Sequence, residues 1–323
     1  MDPIAPIPLT SIEEARSRIE GIAVKTPLLP LNIPDAPCEI WLKAECLQPI
    51  GSFKIRGAAN AMALADQDDL QRGVYTGSAG NMAQGVAFNA QQRGIPCRVI
   101  VPETAPRTKL SAIARLGAIA VPVPFDEWWS VIRNHGHPLE EGFFVHPVSD
   151  PAVIAGNGTV ALEVIEELPD VNAVIVPYGG GGLSCGIASA LKALRSDIQV
   201  FAAEVETAAP LAASLEAGGA VEVERTPTFI DGIGGKGVLP EMWPMASSLL
   251  DGSIVVSVKE ICEAIQVLVS HAHLVAEGAG GASVAAALTG MAGNGKVVAV
   301  VSGGNLDPVA LKTILEGDIP PLA

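Results

Sequence analysis

Basic residues are scarce in this 323-residue chain: 20 Lys and Arg stand against 35 Asp and Glu, a net charge of −15 at neutral pH. Such a field repels nucleic-acid phosphates, and no Lys/Arg stripe opposes it, so a nucleic-acid partner is excluded. Any anionic ligand must be held by local devices such as helix N-termini. Aromatics make up only 4% of residues, so the core has to come from Ala, Val, Leu and Ile. The five cysteines, Cys38, Cys46, Cys97, Cys185 and Cys262, fit no metal or redox spacing. Apolar stretches are too short, and too often broken, to span a bilayer. The opening Met-Asp-Pro-Ile-Ala-Pro has no basic n-region or signal-type apolar core. A reducing cytoplasm is the expected location.

What is present points to an α/β enzyme. The chain is 49% hydrophobic with a mean hydropathy of +0.39, and its 34 glycines and 25 prolines punctuate apolar runs. Its length allows one large or two medium domains. Thr10 or Ser11 with Glu13 or Glu14 predicts a capping-box helix running to about Glu20. A strand follows at Glu39–Lys43, then a helix over about Ser52–Leu64. From there short β-rich runs, small-residue loops and helices alternate. Strands are expected at 73–76, 96–101 and 118–123, with helices at 82–93, 107–116 and around 127–134. After His146 the theme resumes with helices at 158–167, 183–195 and 259–269 and strands at 173–176, 200–204 and 297–301. Alternation of this kind implies parallel, doubly wound sheets. A smaller α/β lobe at 71–146 is expected inside a larger one made from 1–70 and 147–323.

Four segments carry chemistry. In Gly51-Ser-Phe-Lys-Ile-Arg-Gly57, Lys54 is flanked by Phe53 and Ile55. Desolvation lowers a lysine's pKa, and a neutral amine can condense with a carbonyl. Gly179-Gly180-Gly181-Gly182 lies between an apolar strand and the helix that Leu183 begins. Its amides can converge on an anion. No Gly-Lys-Ser/Thr follows, and no acidic ribose ligand stands clearly twenty residues on, so neither a Walker A loop nor a dinucleotide fingerprint is present. A single phosphate monoester on a cofactor fits best. Ser78-Ala79-Gly80-Asn81 is a second strand-to-helix loop, suited to a substrate carboxylate. Ser302-Gly303-Gly304-Asn305 ends the last strand, where open α/β sheets place their ligands.

Taken together, these segments resemble the threonine/serine dehydratase and serine racemase group of fold-type II pyridoxal-phosphate (PLP) enzymes. The likeness covers almost the whole chain: Lys43–Gly57, Ser78–Gly85, His146-Pro147, Asp150–Thr159, Gly179–Leu183, Asp231-Gly232-Ile233 and Ser302–Asn305. It implies two doubly wound α/β lobes with pyridoxal 5'-phosphate between them. Lys54 would hold the cofactor aldehyde and later take the α-proton, with Phe53 against the pyridine ring. Gly179, Gly180, Gly181, Gly182 and Leu183 would cradle the phosphate, Asn81 would bond the ring hydroxyl and Ser302 the ring nitrogen. A serine at that nitrogen suits β-elimination, where the leaving group takes the electrons. Ser78, Ala79 and Gly80 would cup the substrate carboxylate, and Gly232 would line the far side. A homodimer and a small amino-acid substrate are implied, with loss of water and then ammonia from a β-hydroxy amino acid of the threonine or serine type.

The chain departs from the group in three places. Met82 replaces the usual His after the loop Asn, and Glu277 precedes Gly278 instead of Pro. Of the cation-binding set, Glu204 and Ala208 match, but Pro210 stands at the second acid, so no metal is expected. Racemases of the group carry serine where this chain has Ala79, and a methyl group cannot shuttle a proton, so elimination is favoured. Racemisation, or a larger substrate such as 3-hydroxyaspartate or phenylserine, are the alternatives. Trp128 and Trp129 could line a pocket for a large β-substituent, although lobe packing is the commoner use of such a pair. His271 and His273 read as surface or capping residues. A dehydrogenase would need the missing fingerprint, and a sensor protein would have no need of Lys54.

Overall fold

The computed structural model describes residues 2–322. Ten strands form two sheets: β1 (Leu28–Pro30), β2 (Glu39–Lys43), β3 (Val74–Gly77), β4 (Cys97–Pro102), β5 (Ile119–Val123), β6 (Phe143–Phe144), β7 (Ala173–Pro177), β8 (Gln199–Val205), β9 (Gly252–Val256) and β10 (Lys296–Val300). The larger sheet has the order β1-β2-β10-β7-β8-β9, and the smaller β5-β4-β3-β6. Every pairing is parallel except β1 with β2. Strand β7 is buried along its whole length. Val174 and Val176 pack into one core while Ala173 and Ile175 pack into the other. That is why it reads as an unbroken apolar run and not as an alternation.

Thirteen α-helices cover the sheets: α1 (Leu9–Ile19), α2 (Lys54–Leu64), α3 (Gln67–Arg72), α4 (Asn81–Arg93), α5 (Arg107–Arg115), α6 (Phe125–Arg133), α7 (Pro151–Glu167), α8 (Ser184–Leu194), α9 (Pro210–Ala217), α10 (Trp243–Leu249), α11 (Val258–Val267), α12 (Gly278–Leu288) and α13 (Pro308–Leu315). None is long and apolar enough to cross a membrane.

Two helix starts differ from the sequence reading. Helix α1 begins at Leu9 after Pro8 with no side-chain cap; the Pro8 carbonyl accepts from Ser11 and Ile12 N–H instead. Among the described residues a capping box is found instead at α11, between Ser257 and Glu260. Helix α7 begins seven residues before the expected Gly158, with Asp150 as its cap and Pro151 in the first turn. Gly156 and Gly158 lie inside this helix and serve packing: a Cβ on Gly156 would lie 2.5 Å from the Arg56 carbonyl oxygen, and one on Gly158 2.8 Å from that of Gly186. Glycine lets α7 press against both α2 and α8. His273 closes the turn that extends α11, in a left-handed conformation with φ 57°.

A buried ionic network fixes α2. Arg56 donates to Glu45 at 2.8 Å and to Glu163 at 2.6 Å, and Lys43 pairs with Glu163 at 2.6 Å. Thr26 and Thr159 add hydrogen bonds at 2.6 and 3.1 Å. Two cations and two carboxylates balance, which makes burial tolerable. Burial works to raise the Glu45 pKa, but the Arg56 guanidinium outweighs it and holds the carboxyl below its usual range. Breaking one member leaves an uncompensated buried charge. Glu163→Gln should therefore lower unfolding stability by about 3–5 kcal/mol, read as a fall in the urea midpoint. A loss under about 1 kcal/mol would mean the network behaves like a surface ion pair.

Candidate active site

A cleft of about 470 Å³ opens between the two sheets. It is within the usual range for small-molecule sites. Phe53, Lys54, Ser78, Ala79, Gly80, Asn81, Gly179, Gly180, Gly181, Gly182, Leu183, Gly232 and Ser302 all line it. They arrive from the start of α2, the β3–α4 loop, the β7–α8 loop, the segment after α9 and the end of β10. A hollow of about 450 Å³ beside Met62, Gln67 and Arg93 includes none of these residues.

Lys54 opens α2 with its amine inside the cleft. Its Nζ donates to the Pro147 carbonyl at 2.6 Å and lies 5.2 Å from the Phe53 ring centroid. Burial lowers its pKa to about 8, against the opposing pull of Glu277. The Pro147 carbonyl is itself held in place. His146 Nδ1 accepts from the N–H of Val148 at 3.1 Å and Ser149 at 2.7 Å, while its Nε2 donates to the Ile132 carbonyl at 3.1 Å. Burial, and the stacked His135 ring 4.0 Å away, push the His146 pKa down to about 3, so the imidazole stays neutral.

The glycine loop is built so that only its backbone is presented. A Cβ on Gly179 would collide with the Gly232 carbonyl oxygen, and one on Gly180 would lie 2.5 Å from Val148. Gly181 has φ 94°, which disfavours any side chain. Among the described residues, no main-chain N–H from Gly179 to Leu183 donates a hydrogen bond within the chain. Five consecutive free donors at the start of α8 form an anion site. The buried Tyr178 hydroxyl, 3.2 Å from where a Cβ on Gly181 would sit, has no partner among the described residues. These donors and the buried amine fit a phosphate-bearing aldehyde cofactor.

Asn81 is the first residue of α4. Its Nδ2 donates to Glu277 Oε1 at 2.7 Å, and its Oδ1 accepts from Asn305 Nδ2 at 2.8 Å. Burial, reinforced by Asp231, raises the Glu277 pKa to about 8 despite the Asn81 hydrogen bond. Glu277 thus joins the site as a carboxyl able to hold a proton near neutral pH. Lys109 of α5 forms an ion pair with Asp231 at the cleft wall. Lys109 had no place in the sequence reading and Asp231 entered it only within the Asp231-Gly232-Ile233 motif; their pairing, across 122 positions, was not foreseen. Met82 is buried beside the cleft and supplies only apolar surface. Trp128 lines the cleft, whereas Trp129 does not and is 38% exposed.

Glu204 and Ala208 lie apart from the cleft lining. The Glu204 carboxylate is occupied: it accepts from the N–H of Leu211 and Ala212, each at 2.8 Å, and from Ser253 Oγ at 2.6 Å. It anchors the start of α9, where Pro210 stands in place of a second acid. These residues do not fit a divalent cation, which needs several free oxygens.

A lysine with a pKa near 8 should react with aldehydes well below the pH that ordinary lysines require. Reductive methylation followed by peptide mass spectrometry should show Lys54 half-reactive near pH 8, rising with pH and level above it. Half-reactivity near the normal value of about 10.4 would contradict the buried placement.

Comparison with known proteins agrees with this geometry. The sequence is 40% identical over 309 residues to the L-threonine ammonia-lyase of Thermotoga maritima, covering 93% of this chain and 76% of that protein. The fold superposes on maize serine racemase with a TM-score of 0.87 at 31% identity, covering 95% of this chain and 96% of that one. On the threonine deaminase of T.th. the TM-score is 0.85 at 34% identity, covering 93% of this chain and 98% of that one. Residues 19–303 match the profile described as pyridoxal-phosphate dependent enzyme. With the profile spanning most of the chain and Lys54 sharing its cleft with the open glycine loop, the chain belongs to the family of pyridoxal-phosphate dependent enzymes.

Proposed function

We propose that the protein binds pyridoxal 5'-phosphate and acts as an ammonia-lyase on a β-hydroxy amino acid, releasing a 2-oxo acid and ammonia. The observation that carries this reading is the shared cleft of Lys54 and the five unpaired N–H groups of Gly179–Leu183. Those N–H groups would hold the phosphate, Ser302 the ring nitrogen and Asn81 the ring hydroxyl, with Phe53 and Gly232 on the two sides of the ring. When bound, the cofactor supplies an aldehyde for the substrate amine and a conjugated ring that accepts electron density as the Cα–H bond breaks.

The chain's own residues do the rest. The main-chain donors of Ser78 and Ala79, with Gly80 leaving open space, orient the substrate carboxylate. Lys54, with its pKa near 8, is suited to taking the α-proton and returning one as the β-hydroxyl leaves as water. The resulting enamine, once released, takes up water and yields the 2-oxo acid and ammonia, so the water lost is balanced by the water gained. Ala79 supports elimination over racemisation, since its methyl group can carry no proton to the opposite face. Segment 71–146 would move as a lobe against 1–70 and 147–323, with the Lys109–Asp231 pair across the cleft. A cytoplasmic homodimer fits the same reading.

Cofactor-loaded protein given L-serine or L-threonine should release equal amounts of 2-oxo acid and ammonia without forming the D-enantiomer. Lys54→Ala should lose about 10³-fold or more in rate, as expected for a general base. Accumulation of the D-amino acid with no 2-oxo acid would replace the lyase reading with a racemase.

A further inference from the structure

The cleft has more wall than an amine, a carboxylate and a β-hydroxyl require. Pro102 ends β4, Ala105 and Pro106 lead into α5, and Phe125 and Trp128 lie one turn apart on α6; all five line the cleft. Residues three apart on a helix share a face. The Phe125 and Trp128 rings sit 5.5 Å apart, tilted by 47°. Prolines and aromatic rings form an apolar surface larger than a methyl-sized substituent can cover.

Trp128 is unusual in a second way. Its Nε1–H is buried and has no acceptor among the described residues. A tryptophan placed for packing alone normally finds a partner for that donor. The residue lines the cleft, and a small shift of the wall on binding would open this closed-off N–H to an acceptor that a ligand brings. Besides Lys54, the cations at the cleft are Lys109, in its pair with Asp231, and Arg225, which belong to α5 and to the segment after α9. Helix α6 contributes only Phe125 and Trp128 and so suits an apolar β-substituent better than an anionic one. An aromatic ring offers both a stacking partner for Phe125 and Trp128 and a π-face for the indole N–H.

We propose that the Phe125–Trp128 wall selects β-hydroxy amino acids carrying an aryl group on Cβ, the 3-aryl-3-hydroxy class, over threonine and serine. This rests on the ammonia-lyase reading for the reaction and on the wall for the selectivity. The two parts separate experimentally. Binding is measured by calorimetry on cofactor-loaded protein with L-phenylalanine and L-2-aminobutyrate, which lack the leaving hydroxyl. Phenylalanine should bind about tenfold tighter or more, a typical gain from added aromatic contact. Trp128→Ala should bring the two within about threefold, and Trp128→Phe, which keeps a ring but no N–H, should fall between. Turnover of 3-phenylserine should exceed that of threonine in kcat/KM by a similar factor, and Trp128→Phe should narrow that ratio. Equal affinities for the two analogues, or a Trp128→Phe change that affects both substrates alike, would overturn the selectivity. Trp128-dependent binding without release of any 2-oxo acid would uphold the wall and overturn the lyase reading instead.

Discussion

The site depends on one contact: the hydrogen bond between the buried Lys54 amine and the Pro147 carbonyl. An amine kept from water gives up part of its affinity for a proton, and that makes it usable as a nucleophile and as a base near neutral pH. Holding it there requires both ends to be fixed. On one side the Arg56–Glu45–Glu163–Lys43 network locks the helix that Lys54 opens. On the other, a permanently neutral His146 ties down two amides beside Pro147. Lys54 and Arg56 are two residues apart and use burial in opposite ways. Arg56 stays charged through close carboxylates, while Lys54 has none in contact and tends towards neutrality.

The rest of the electrostatics relies on backbone more than on basic side chains, as a chain of net charge −15 must. The start of α8 presents free N–H groups to an anion, and the start of α9 meets the Glu204 carboxylate. The second pairing occupies the acid that could otherwise serve a cation. The first leaves its donors open at the cleft. Similar helix termini therefore do different work, depending on whether an acidic side chain of the chain itself reaches them.

Much of this was legible in the sequence. Lys54, the glycine loop, Ser78–Asn81 and Ser302 come together in one cleft, since small residues between a strand and a helix can do little but expose backbone. Parallel sheets followed from the alternation of elements. Other features left no such mark. The Pro147 carbonyl is a main-chain atom with no side-chain signature. Lys109 and Asp231, or Asn81 and Glu277, meet only after the sheets are assembled, across 122 and 196 positions. The sequence reading began α7 seven residues late, and the two glycines inside its true span, Gly156 and Gly158, are contact points against neighbouring backbone. Trp128 and Trp129 are adjacent in sequence, yet the helical turn sends one to the cleft and leaves the other outside its lining.

The central claim is that Lys54, and no other lysine, is the amine that engages the cofactor. It is tested most directly by adding pyridoxal 5'-phosphate to the protein, reducing with borohydride and locating the label by peptide mass spectrometry. The expected result is one label per chain, on the peptide that carries Lys54. A label spread over exposed lysines, or none on Lys54, would contradict the claim.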